Sequence, residues 1–190
     1  YYTIQSNLLV LALFVVLAIR TWRDLRNAGV SGTSTCSPHV KGAVMLTITV
    51  TLLVYHFMLV PTMFTMHPEY RPFTLQDVLV HYFTPLMALC DWLLFDPKGR
   101  FRWFDPLLWL SLPFAYLIFA FVRAQLLSEP FPGGSRYPYF FMDVDQLGWG
   151  VAPWLLGLSV GLLALGYLIY GVDRGLGALA RRPERTTAGA

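Results

Sequence analysis

Five apolar runs, each about the length a helix needs to cross a bilayer, take up most of this chain. They occupy residues 1–19, 42–64, 77–95, 107–127 and 151–171. A transmembrane helix needs about 20 mostly apolar residues. Apolar runs of this length read as membrane helices. Charged residues make up 13% of the 190, and 56% are hydrophobic. A soluble domain carries about a quarter charged residues, so this chain has too little charge to solvate a globular surface. The expected fold is all-α: a polytopic transmembrane helix bundle forming a single integral membrane domain over residues 1–190, with a basic tail at 172–190.

The placement of charge orients the bundle. Arg20, Arg23, Arg26 and Lys41 follow the first run, Lys98, Arg100 and Arg102 follow the third, and Arg174, Arg181, Arg182 and Arg185 follow the fifth. The other two loops offset Arg71 with Glu69, and Arg136 with Glu129, Asp143 and Asp145. The positive-inside rule then predicts Tyr1 on the outer side and a cytoplasmic C-terminus. The sequence opens on Tyr1 at the mouth of an apolar run, which reads as a chain lacking one upstream span. Six spans with both ends cytoplasmic are expected for the intact protein.

A net charge of +3 is too small to point to nucleic acid, and the implied partner is the lipid bilayer. Cys36 falls in a loop and Cys90 in an apolar run. Neither has the spacing of a disulfide framework or a zinc site, and no metal or organic cofactor is indicated. Asp96-Pro97-Lys98-Gly99-Arg100 reads as a tight inner turn near anionic headgroups. The outer loop from Glu129 to Gly150 holds Pro130, Pro132, Gly133 and Gly134, then Tyr137-Pro138-Tyr139-Phe140-Phe141-Met142-Asp143. It either lies over the bundle or forms an aromatic belt at the headgroups.

Polar groups are expensive inside lipid and read by default as functional. Those within the runs gather at the outer end. Thr3, Ser6 and Asn7 share one helix face, which points into the bundle, as site residues or as interhelical glue. His81 lies about one turn inside the third run. Thr74 and Asp77 before it have capping-box spacing, and Asp77, four residues before His81, is placed to orient the imidazole. Asp91, ten residues on and about 15 Å further along a helix, is too far to partner His81, and Lys98 or Arg123 is its expected ion pair. Tyr55 and His56 lie in the outer third of the second run. His56 is either a buried imidazole bonded to Tyr or backbone, or a site residue facing His81. His39 and His67 fall in loops. Thr3 and His81 open different helices at similar depth, which suits a hydroxyl nucleophile and its histidine base beside an apolar cavity.

Several stretches resemble the bacterial Pr6Pr-type integral membrane proteins. They are Tyr1 to Val10, Tyr55-His56-Phe57, His81 to Leu86, Asp91 to Phe95, Pro97 to Arg100 and Tyr137 to Asp143. That family is similar in turn to the eukaryotic androgen-induced and androgen-dependent TFPI-regulating membrane threonine hydrolases. These are six-span proteins that cleave fatty acid esters of hydroxy fatty acids with a threonine and a histidine. The resemblance carries the threonine onto Thr3 after Tyr2, and the histidine onto His81 before Thr84 and Pro85. It matches the acidic residue onto Asp91 and the outer aromatic segment onto Tyr137 to Asp143. Here the proline follows the histidine by four residues rather than five, and Asn7 and His56 have no secure counterpart.

The resulting expectation is an intramembrane hydrolase of lipid-like esters in a bacterial plasma membrane. Thr3 is the nucleophile and His81 the base. Asp77 or His56 orients His81, and Asn7 or Ser6 donates to the oxyanion. The alternative is a non-enzymatic membrane protein, a small transporter or a lipid-binding scaffold.

Overall fold

In a computed structural model the described residues are 1–28, 36–66, 71–127, 129–131 and 134–181. Among them are five helices long and apolar enough to span a membrane: Tyr2–Asn27, Pro38–Met63, Leu75–Phe95, Asp105–Leu126 and Val144–Ala180. The protein is an all-α, polytopic membrane helix bundle. His67, Glu69, Pro132, Gly133, Arg182 and Arg185 lie outside the described residues.

Two helices run past their apolar runs. The first continues through Arg20, Arg23 and Arg26 to Ala28, and these arginines stand on its exposed side. Long basic side chains keep their heads in the interface while the stems follow the helix. The fifth helix begins with a short turn at Val144–Leu147, passes through Gly148–Gly150, and runs unbroken over Val151–Ala180. The tail expected from residue 172 is therefore helix as far as Ala180.

The second span is the centre of the bundle. More than half of its membrane window (56%) is buried, against 28% or less for the other four, and it packs on all of them. Its hydroxyls do not leave that core unsatisfied. Thr47, Thr49 and Thr51 each donate back to the carbonyl four residues earlier, on Ala43, Met45 and Thr47, the usual refuge of a hydroxyl inside a helix. Met45, Leu46, Val50, Trp92, Phe101, Trp109 and Ile169 form the inner core cluster. Gly42 permits it: a Cβ there would lie 2.3 Å from Trp109 Cζ2.

Lys41, whose place in the sequence suggests a loop charge, belongs to this helix. It is 3% exposed and lies between Asp91 Oδ2 at 2.5 Å and Asp96 Oδ2 at 2.8 Å. The expected pairing of Asp91 with Lys98 or Arg123 is thus corrected: Lys41 is the partner. Lys98 instead donates to the carbonyls of Trp92, at 2.7 Å, and of Asp96. Arg123 stacks on Phe131, with its guanidinium carbon 4.1 Å from the ring centroid.

Both Cys36 and Cys90 are free thiols. The outer aromatic segment lies over the bundle: Tyr137, Phe141 and Met142 are buried against Tyr116, Ala120 and Ala124. Asp143 fastens it, accepting from the Ser135 hydroxyl at 2.6 Å and from the Gln146 amide at 3.1 Å.

Candidate active site

Two helices change pitch at the end of the bundle that carries Thr3, the end expected to face outward. The second span opens into a π-helical turn at Tyr55–Leu59, closed by the Val60 amide donating to the Tyr55 carbonyl. The third does the same at Leu79–Phe83, with the Thr84 amide donating to the Leu79 carbonyl. In each case a proline follows two residues after the turn, Pro61 and Pro85. Proline has no N–H to donate, and its ring crowds the carbonyl four residues back. The wider five-residue spacing relieves that crowding. The Thr84 hydroxyl adds a second donor to the Leu79 carbonyl at 3.0 Å. Single π turns of this kind frequently mark functional sites. Here they carry Tyr55 and His56 on one helix and His81 and Tyr82 on the other.

Thr3 and His81 meet. The Thr3 Oγ1 lies 3.3 Å from His81 Nε2. The other ring nitrogen, Nδ1, is 3.2 Å from the Asp77 carbonyl oxygen. A carbonyl only accepts, so Nδ1 carries the proton and Nε2 presents its lone pair to the Thr3 hydroxyl. That tautomer follows from the hydrogen-bond partners. The Asp77 carboxylate is further off, with Oδ1 3.8 Å from Nδ1. Asp77 thus orients His81 chiefly through its backbone. Its side chain accepts from the Thr74 hydroxyl at 2.8 Å, while its amide donates to that same hydroxyl at 3.2 Å. Thr74 is the expected cap of the third helix.

Tyr55 was the unrecognised member of this constellation. Its ring stacks on the imidazole of His81, with centroids 3.7 Å apart and planes 7° from parallel. His56, which the sequence offers as a second site histidine, does not meet His81. It is exposed, and its Nδ1 lies 2.9 Å from the Tyr82 hydroxyl, so it is neither buried nor an orienter of His81. The signal for Tyr55 was its place beside His56, one residue round the helix.

Ser6 and Asn7 stand where the shared face predicts, and both act on the backbone. Asn7 Nδ2 donates to the Thr3 carbonyl at 2.8 Å and to the Val80 carbonyl at 3.1 Å. Those two bonds occupy both amide hydrogens and tie the first span to the turn that carries His81. The Ser6 hydroxyl donates to the Thr3 carbonyl at 3.0 Å and lies 2.8 Å from Thr51 Oγ1. Neither side chain has a donor directed at a reacting carbonyl in this arrangement.

Thr3 also opens on a cavity of about 100 Å³, walled by the first, second, fourth and fifth spans and the aromatic segment. Val54, Leu117, Leu158 and Leu162 supply apolar wall, and Thr3, Tyr55 and Tyr139 are among its polar residues. A groove of about 490 Å³ between the second and fifth spans shares Val50, Val54, Leu158 and Leu162 with it. Its remaining lining, including Leu53, Phe57 and Leu165, carries no charge. Among the described residues no cluster of His, Cys, Asp and Glu is arranged to hold a metal ion. A hydroxyl with an oriented imidazole beside an apolar cavity is equipped for acyl transfer.

Comparison with family models, with curated proteins and with solved structures finds no match.

Proposed function

We propose that this protein is an intramembrane hydrolase of lipid-like esters, with Thr3 as nucleophile and His81 as base. The approach of Thr3 Oγ1 to His81 Nε2, 3.3 Å across two different spans, carries this reading. Hydroxyl and base need about 2.6–3.2 Å and are commonly looser without substrate. His81 takes the Thr3 proton as the Thr3 oxygen bonds to the ester carbon. It returns that proton to the leaving alcohol as the tetrahedral intermediate collapses. Water, deprotonated by the same imidazole, then releases the acid from the acyl-threonine. The Asp77 carbonyl supports the imidazolium formed in each step, since both ring nitrogens are then donors.

The apolar cavity and the groove that shares four of its wall residues favour a substrate with a hydrocarbon chain. The cavity suits the reacting group and the groove suits the chain. The resemblance to the bacterial Pr6Pr-type proteins and the membrane threonine hydrolases supports the same roles for Thr3 and His81. Basic residues at the helix ends and turn of one side (Arg20, Arg23, Arg26, Lys98, Arg100, Arg102, Arg174 and Arg181) support the orientation expected in a bacterial plasma membrane. In it Tyr1 is on the outer side and the C-terminus is cytoplasmic. Removing the buried Lys41 from that count leaves the bias intact.

The test is fluorophosphonate labelling of the protein in membranes, beside Thr3→Ala and His81→Ala. Loss of labelling in both variants at normal protein levels is expected. Labelling that survives Thr3→Ala, or is absent from the wild type while a reactive control labels, overturns the hydrolase. That outcome favours a lipid-binding scaffold or small transporter, a reading to which the uncharged groove also lends itself.

A further inference from the structure

An acyl-transfer site needs a donor aimed at the oxygen on which charge develops, and this term often dominates the stabilisation. Ser6 and Asn7 are directed at carbonyls of the first and third spans. Of the aliphatic hydroxyls on the cavity wall besides Thr3, Ser159 donates to the Leu155 carbonyl at 2.7 Å. Thr51 is shared between Ser6 and the Thr47 carbonyl.

Tyr139 is placed differently. It descends from the outer aromatic segment, its ring held between Tyr1, Tyr116 and Phe141 at centroid distances of 6.3, 6.4 and 5.3 Å. Its phenol oxygen accepts the Tyr2 amide at 3.1 Å, one residue from the nucleophile. Tyr139 and Thr3 line the same cavity. Burial pushes the Tyr139 phenol above its ordinary range, so it keeps its proton throughout the neutral range. An amide donating to the phenol oxygen polarises the O–H bond and makes its hydrogen a better donor.

We propose that the Tyr139 hydroxyl is the oxyanion donor of this site. The assignment rests on the Thr3/His81 hydrolase. As Thr3 Oγ1 bonds to the ester carbon, the carbonyl π pair moves onto the ester oxygen. Tyr139 donates a hydrogen bond to that oxygen and keeps its proton. When the pair returns to re-form the carbonyl, the C–O bond to the alcohol breaks, and the departing alkoxide takes its proton from His81. The species before and after attack differ in their demand on Tyr139. The intermediate holds a full negative charge in front of the phenol, and the ester ground state only a carbonyl dipole. A donor that strengthens between the two raises kcat without tightening substrate binding.

The experiment uses the purified protein in detergent with a long-chain p-nitrophenyl ester and its thiono counterpart, in which sulfur replaces the carbonyl oxygen. Sulfur is a weak hydrogen-bond acceptor, so the oxyanion donor contributes chiefly to the oxygen ester. For Tyr139→Phe we expect kcat on the oxygen ester to fall about 10²–10³-fold, the range for removing one such donor. KM should change little, and the oxygen-to-sulfur rate ratio should narrow. That ratio is independent of how much of the variant is folded. Equal losses on both esters, or a ratio equal to that of the wild type, overturn the assignment to Tyr139 while leaving the hydrolase standing. Wild-type protein that cleaves neither ester, or a Thr3→Ala variant as active as wild type, overturns the hydrolase and this assignment with it.

Discussion

The two ends of the bundle solve the problem of polar groups in a membrane protein in opposite ways. At the inner end the buried groups are charged and held by tight, redundant partners. Lys41 sits between two carboxylates. Asp105, fully buried, accepts from the Arg102 amide at 2.7 Å and faces His39 Nδ1 at 2.8 Å. Asp173 accepts the Phe101 amide at 3.0 Å, and the Trp109 indole donates to the His39 carbonyl at 3.0 Å. At the outer end the groups are hydroxyls, an imidazole and an amide, set on widened helical turns beside a cavity. The central Thr3–His81 contact, at 3.3 Å, is longer than any of the inner ones just given. Full charges buried this deeply need fixed partners, because an unpaired ion in low dielectric costs several kcal/mol. Neutral donors and acceptors tolerate a looser arrangement, and a reacting hydroxyl requires one. The inner end fixes the helices, and the outer end uses the freedom left over.

Substitutions at the two ends should therefore fail in different currencies. The largest effect belongs to the outer end and to activity alone. His81→Ala should lower ester hydrolysis by about 10²–10⁴-fold, the range for a general base, with little change in the thermal midpoint measured in detergent. A large drop in that midpoint would erase the distinction. Lys41→Met should do the reverse. It removes the buried cation between the partly buried carboxylates of Asp91 and Asp96 and should cost about 3–5 kcal/mol of stability, read from denaturation in mixed micelles. The oxygen-to-sulfur rate ratio of the surviving folded fraction should equal that of the wild type. Gly42→Ala also acts at the inner end, driving a methyl into the Trp109 ring. Overpacking of this kind costs about 1–3 kcal/mol, and a wild-type melting curve would show that the indole has room to shift. The smallest effect is expected for Asn7→Leu, which frees the Thr3 and Val80 carbonyls of one partner. Polar contacts between membrane helices average about 0.6 kcal/mol, so stability should barely move. Activity should fall more than that figure implies, because the same amide ties the strand of backbone bearing Thr3 to the turn bearing His81. Equal small losses in both would mean Asn7 is glue only.

How much of this was legible beforehand follows the same division. The five spans were readable because apolar length is a property of consecutive residues. The meeting of Thr3 and His81 was readable because depth can be counted along two helices from their outer ends. The partner of Asp91 was not. Lys41 stands next to a loop in sequence, and burial of its ammonium depends on two helices arriving from elsewhere. Nor was the end of the first helix, which Arg20, Arg23 and Arg26 continue from its exposed side, since charge marks the edge of lipid and not the edge of a helix. Tyr55 outranked His56 at the site because a widened turn alters which side chains face the neighbour, and only Pro61 and Pro85 hinted at that widening. Tyr139 reaches the nucleophile through the course of an irregular segment, which no periodicity describes.

The two widened turns have a consequence for the length of this chain. An α-helix advances about 100° per residue, so a π turn amounts to one residue more than the rise would need. Taking one residue out of Leu79–Phe83 would let the helix close regularly, and it would rotate Thr74 to Val78 by about that angle against the inner half. The inner half is held by its ion pairs, so the outer turn would have to swing. Asp77, whose carbonyl sets the tautomer of His81, would then point elsewhere. The site is therefore a matter of helical phase: its geometry is kept by counting residues between the charged clamp and the membrane surface, and a deletion that removes no functional side chain would still dismantle it.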